Sequence, residues 1–235
     1  MGNYDIGQFI LYMVAFIFSV SLHESAHAWA SSHFGDDLAR SQGRISLNPV
    51  SHVDPIGTLL FPGISFFTGV PLLGWARPTP VNPLKWRNKN VANFWVSIAG
   101  ILVNLAIALV AGIAIRVLFE TGFIALVDDP RSWTNIIRAN SDDGLAQGAV
   151  SLLAGLFTVN IGLAVFNLLP IPPLDGSGVL SSILPSSFES AFEALEQFGF
   201  VLLFIAVFTG VISSIFRFVM PVVFNLVFLG KVSFS

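Results

Sequence analysis

The chain has 235 residues, of which 54% are hydrophobic and 11% charged, with a mean hydropathy of +0.78. Globular chains carry about 25% charge, so this one lacks the polar groups to cover a water-exposed surface, and a net charge of −3 gives no footing for nucleic acid. Cysteine is absent, which excludes disulfides and thiolate metal ligands.

The first apolar run, Ile6 to Leu22, contains no charge, and Asp5 is the only charge before it. A signal peptide would carry a basic leader and a shorter apolar core, so the run reads as a retained helix ending near Ala30. The polar stretch 31–55 reads as loop, with a short strand expected at Arg44–Leu47. The next apolar block, Ile56 to Trp75, is interrupted by Pro62, Pro71 and four glycines.

After a basic loop comes a clean span, Phe94 to Phe119, and then an acidic loop reaching Gly148. Ala149 to Leu169 is the next span. It stops at "PIPPLDG", where three prolines forbid regular helix. Glu189, Glu193 and Glu196 lie on a short amphipathic piece. The remainder reads as one span plus a second helical stretch after a break near Met220–Pro221. Several of these stretches approach the roughly 20 apolar residues that cross a bilayer. The fold class expected is an all-α polytopic membrane protein with about five to six transmembrane helices.

The first span ends in chemistry. His23, Glu24 and His27 form H-E-x-x-H, and positions i and i+4 share one helix face, so both imidazoles can bind one metal. The glutamate between them can take a proton from water activated there. Coincidence, or polar glue between helices, is the bland alternative. Ionisable groups within a span cost about 2.5–3.5 kcal/mol each on insertion scales, and a metal supplies a concrete compensation. Imidazole with carboxylate suits zinc, whose catalytic sites take three protein ligands. Asp175 in "NLLPIPPLDG" is the only carboxylate near the end of an otherwise apolar span. Alone it could be a turn former before Gly176; beside two orphan histidine ligands it is the better third ligand.

These two motifs, in this order, resemble the site-2 protease family of intramembrane zinc metalloproteases. "RISLNPVSHVDPIGT", "GWARPTPVNP" and "SIAGILVN" resemble its small members as well, so the similarity extends from about residue 20 to 180. The resemblance implies one zinc ion on His23, His27 and Asp175, with Glu24 as general base. It implies cleavage of transmembrane protein substrates within the lipid bilayer of a prokaryotic plasma membrane. It further suggests Asn104 near the oxyanion and Asn167 on the substrate backbone, although amides in spans often only bond neighbouring helices. Ile101 stands where many relatives have proline. No regulatory PDZ or CBS domain is visible in the 235 residues, which read as a single domain. Its catalytic core covers about 6–184 and its C-terminal helices about 190–230. His52 and Asn48 follow the site without an assigned role, and His33 reads as solvated.

A shared metal constrains the topology. The C-terminal ends of the first span and of Ala149–Leu169 must face the same side, with one crossing, Phe94–Phe119, between them. Ile56–Trp75 must then be a re-entrant hairpin with no net crossing, sheltered by protein. Arg40, Arg44, Arg77, Lys85, Arg87 and Lys89 then share one face, against Arg116, Arg131 and Arg138 on the other. By the positive-inside rule the richer face is cytoplasmic, so the active site is expected to open there, with the N-terminus outside. Two rivals remain at this point. A membrane zinc transporter would show further intramembrane ligands or repeated halves, and an inactive scaffold would leave Glu24 without a job.

Overall fold

The uncharged N-terminal run folds as one long helix, α1 (Ile6–His33), in a computed structural model that describes residues 6–68, 74–127 and 136–229. A four-residue spacing sorts its two faces. Ala15, Ser19, His23 and His27 form one buried stripe, while Ile6, Ile10, Val14 and Phe18 form an exposed apolar one. A helix whose outer face is apolar suits lipid rather than water.

A short helix α2 (Leu38–Ser41) and a 3-10 turn (Pro49–Ser51) lead to a wide helical turn, Pro55–Leu60, which runs into α3 (Phe61–Thr68). Asn48 caps the 3-10 turn by accepting the Val50 N–H. Beyond the undescribed residues 69–73 the chain returns to where it left. The Trp75 N–H donates to the Gly57 carbonyl at 3.1 Å, and Thr58 Oγ1 donates to the Trp75 carbonyl at 2.8 Å.

The next helix, α4 (Lys89–Glu120), starts at Asn88, whose side chain accepts the Val91 N–H. It is the centre of the molecule, packed along α1, α5 and α6. Its inner stripe is made of small residues, Ala92, Gly100 and Ala108, with Val96 and Asn104 between, and small residues let helix backbones approach closely. His27 meets Val96 and His23 meets Asn104, so α4 runs antiparallel to α1.

Two short strands, β1 (Ile124–Leu126) and β2 (Ile137–Ala139), pair antiparallel at the far end of α4. Ile124 and Ile137 pack there with Phe157, Phe224 and Phe228 in the main apolar core. Asp143 then caps α5 (Gly144–Asn167) by accepting the Leu145 and Ala146 N–H groups. This helix returns antiparallel to α4 and parallel to α1. After the proline-rich break come α6 (Asp175–Ile183), α7 (Glu189–Phe208) and α8 (Val211–Phe228). Arg116 of α4 donates to the Val227 carbonyl and tethers α8.

Four helices among the described residues are long and apolar enough to cross a membrane: α1, α4, α5 and α8. Eight-residue α3 reaches about 12 Å at 1.5 Å per residue, short of a bilayer, and 20-residue α7 carries its glutamates in its first two turns. The amphipathic piece carrying those glutamates is continuous with the helix that follows. The C-terminal break falls at Gly210, whose φ of +79° takes the left-handed region that glycine tolerates; α8 continues through Pro221. No strand forms at Arg44–Leu47, because the backbone there bonds side chains: the Ser46 N–H donates to Ser25 Oγ, and the Ser46 carbonyl meets the His52 ring. The tip of the expected hairpin and Arg131 lie outside the described residues.

Candidate metal centre

His23 and His27 stand one turn apart on the buried stripe of α1, with Nε2 atoms 3.0 Å apart. Asp175 comes from far along the chain. The prolines after α5 turn the backbone so that Asp175 opens α6, and its Oδ2 lies 3.1 Å from His23 Nε2 and 3.3 Å from His27 Nε2. Two glycines seat α6. A Cβ on Gly176 would fall 2.3 Å from the Leu168 carbonyl oxygen, and one on Gly178 would fall 2.2 Å from Ser97 Oγ. Asn93 of α4 then donates to the Gly178 carbonyl at 3.0 Å.

The far side of each ring fixes its protonation. His27 Nδ1 faces the Val96 carbonyl at 2.6 Å, and His23 Nδ1 faces Asn104 Oδ1 at 2.6 Å. Oxygens of that kind only accept, so both Nδ1 atoms carry the hydrogen and both Nε2 atoms present lone pairs. Three acceptors therefore converge, and Asp175 Oδ2 is buried without a hydrogen-bond donor. Protons cannot satisfy that arrangement without burying imidazolium charge, whereas one divalent cation meets all three. Ligands about 2.0–2.1 Å from a tetrahedral zinc lie roughly 3.3 Å apart, and two histidines with one carboxylate leave its fourth position open. The residues fit zinc. Gly100 completes the fit by having no side chain: a Cβ there would lie 2.5 Å from both His23 Cε1 and His27 Nε2.

Glu24 lines a cavity of about 700 Å³ that also takes in His23, His27 and Asp175. Its Oε2 accepts the Thr79 N–H at 2.9 Å and lies 2.7 Å from Thr79 Oγ1. Thr79 sits in irregular backbone bonded to α1 through Glu24. The buried Arg44 guanidinium donates to the carbonyls of Ser51, Arg77 and Pro78. The Arg77 N–H donates to the His52 carbonyl at 2.8 Å. Asp36, fully buried, accepts the Asn82 N–H at 2.6 Å. His52 is part of this scaffold, buried and outside the cavity lining. Burial holds its ring below the ordinary imidazole value; the Ser46 carbonyl opposes that shift and Arg44 reinforces it.

The remaining expected residues separate. Asn167 lines the cavity, with its amide nitrogen donating to the Leu163 carbonyl one turn back at 3.0 Å. Asn104 does not face the cavity. It is fully buried behind His23, with its oxygen on that ring and its nitrogen donating one of two hydrogens to Asn160 Oδ1 at 2.7 Å. His33 is exposed and stacks on Trp29. Thr79, Gly100 and Asn160 were not legible as site residues. Asn160 alone left a signal, an amide two turns before Asn167 in an apolar span.

Residues 11–206 match the family model described as Peptidase family M50. The chain is 34% identical over 205 residues to "Putative zinc metalloprotease YwhC" of Bacillus subtilis, covering 86% of this chain and 81% of that protein. It is 26% identical over 212 residues to "Putative zinc metalloprotease Rip2" of Mycolicibacterium smegmatis, covering 90% of this chain and 71% of that one. The Mycobacterium tuberculosis protein of the same name is 28% identical over 200 residues, covering 85% of this chain and 67% of its own length. No solved structure matches the chain.

Proposed function

The chain belongs to Peptidase family M50 and is a membrane zinc metalloprotease; from that premise we propose that it cleaves transmembrane protein substrates inside the bilayer. The observation that carries this reading is the convergence of His23, His27 and Asp175 beside Glu24 in one cavity. Those three side chains would hold one zinc ion per chain. Zinc bound there supplies a Lewis acid and brings the pKa of water toward neutrality.

The chain's own residues do the rest. Glu24 takes the proton of the attacking water and returns it to the leaving amine. Thr79 holds Oε2 of that carboxylate, so the proton goes to Oε1. The apolar wall, with Val20, Leu163, Phe166, Phe200 and Leu203, suits the side chains of a membrane segment, and Asn167 offers an amide to its backbone. Such a segment must unwind locally, because its own helical hydrogen bonds shield the peptide.

The orientation proposed puts this end of the bundle in the cytoplasm of a prokaryotic plasma membrane. Supporting it, α1 and α5 run parallel with α4 antiparallel between them, and the Gly57–Trp75 contact joins the two ends of the apolar block. That block then makes a re-entrant hairpin and no crossing. Arg40, Arg44, Arg77, Lys85, Arg87 and Lys89 lie toward this end, with Arg116 and Arg138 toward the other. Cysteine labelling from one side that separates position 44 from position 87 contradicts this orientation.

The function is tested with purified chain in liposomes carrying a single-span substrate. Wild type is expected to cut within the span. Glu24→Gln is expected to lower the rate by about 10²–10⁴, the usual contribution of a general base. Cleavage unchanged by that substitution overturns the proposal.

A further inference from the structure

Behind His23 a buried chain of hydrogen bonds runs across three helices, and its direction is fixed at both ends. The Leu156 carbonyl on α5 can only accept, so the Asn160 group 2.7 Å from it is the amide nitrogen. The second hydrogen of that nitrogen goes to Ser19 Oγ on α1 at 2.7 Å, whose own proton is committed to the Ala15 carbonyl at 2.6 Å. Asn160 Oδ1 is left to accept from Asn104 Nδ2 at 2.7 Å. Asn104 Oδ1 then accepts from His23 Nδ1 at 2.6 Å. Ser19, Asn104 and Asn160 are each 0% exposed, so water cannot substitute for any partner.

We propose that Asn160 is a positioning residue for the metal centre, acting through Asn104 to hold His23 in the one tautomer that leaves Nε2 unprotonated. This rests on the reading of His23 as a zinc ligand. An imidazole without a committed partner samples both tautomers, one of which puts a hydrogen where the metal must be. His27 needs no such relay, because a backbone carbonyl does the same work directly. Asn104 alone is insufficient, since a free carboxamide can turn over and present nitrogen to the ring. Asn160 removes that freedom, and it does so from a helix that carries no metal ligand.

The test measures zinc affinity of the full chain in detergent, by competition with a chromophoric chelator. N160L removes both polar atoms and unlocks Asn104; it is expected to weaken zinc binding about 10–100-fold, the usual scale for outer partners of a ligating histidine. N160D keeps the relay: a buried carboxyl stays protonated, donates to Leu156 and accepts from Asn104, so affinity is expected within about threefold of wild type. A residue that merely filled space would give the opposite order, because leucine suits an apolar helix interface better than aspartic acid does. N160L binding zinc as tightly as wild type, or N160D binding more weakly than N160L, overturns the relay. Should N160L fail to fold, 15N NMR of zinc-loaded wild type decides: His23 is expected to bind through Nε2 with Nδ1 protonated, and binding through Nδ1 overturns the relay. A wild-type chain that holds no zinc overturns the ligand reading itself, while zinc-holding wild type matched by N160L overturns the relay alone.

Discussion

Thr79 holds the Glu24 carboxylate from two directions, with its N–H 2.9 Å and its hydroxyl 2.7 Å from the same oxygen, Oε2. Thr79 belongs to a segment without regular structure that Arg44, Asp36 and His52 pin beside α1, so the setting of the base depends on that segment.

Thr79→Val removes the hydroxyl and leaves the backbone donor. Hydrogen bonds to charged groups contribute about 1.5–3 kcal/mol, and about 1.4 kcal/mol is tenfold in rate. The expected result is a fall of roughly tenfold in kcat with KM and zinc content unchanged, while Thr79→Ser stays near wild type. Steady-state cleavage kinetics with metal analysis check it. Loss of zinc from Thr79→Val would mean the contact supports the ligands rather than the base.

Gly100→Ala puts a methyl group 2.5 Å from both histidine rings. Alanine is the better helix former by about 1 kcal/mol, so helix content by circular dichroism is expected unchanged. Zinc affinity is expected to fall at least tenfold, and cleavage with it, as ligand geometry is disturbed. Chelator competition measures this directly.

These residues mark what the sequence could carry and what it could not. His23, Glu24, His27 and Asp175 were legible because their chemistry is particular to residue type and spacing, and because charge in an apolar span demands a reason. Asn104 was legible as a polar group in an apolar span, while only packing shows its amide bonded to His23 and Asn160. Gly100 and Thr79 matter through distances to partners 77 and 55 positions away, which no local pattern encodes. Pro221 was the wrong place for the C-terminal break for a related reason. A proline inside a membrane helix is tolerated when neighbours satisfy the freed groups, whereas Gly210 takes a backbone conformation that ends the helix.

His52 gives a pH dependence whose sign follows from its burial. Its ring in the folded chain stays below the ordinary value near 6.5, with burial the largest cause. The folded state thus favours the neutral form and the unfolded state binds more protons. Stability from this group is present above pH 6.5 and is lost as the pH falls through the lower folded value. The unfolding temperature in detergent is expected to drop on that acid limb for wild type and to drop less for His52→Asn. Equal acid sensitivity of the two would place the titrating group elsewhere.

That His23, His27 and Asp175 together hold one zinc ion is tested by metal analysis of purified chain by plasma mass spectrometry, with wild type beside Glu24→Gln and Asp175→Ala. About one zinc per chain is expected in wild type and in Glu24→Gln, with zinc lost from Asp175→Ala after dialysis against a mild chelator. Full zinc occupancy in Asp175→Ala, or none in wild type, would contradict it.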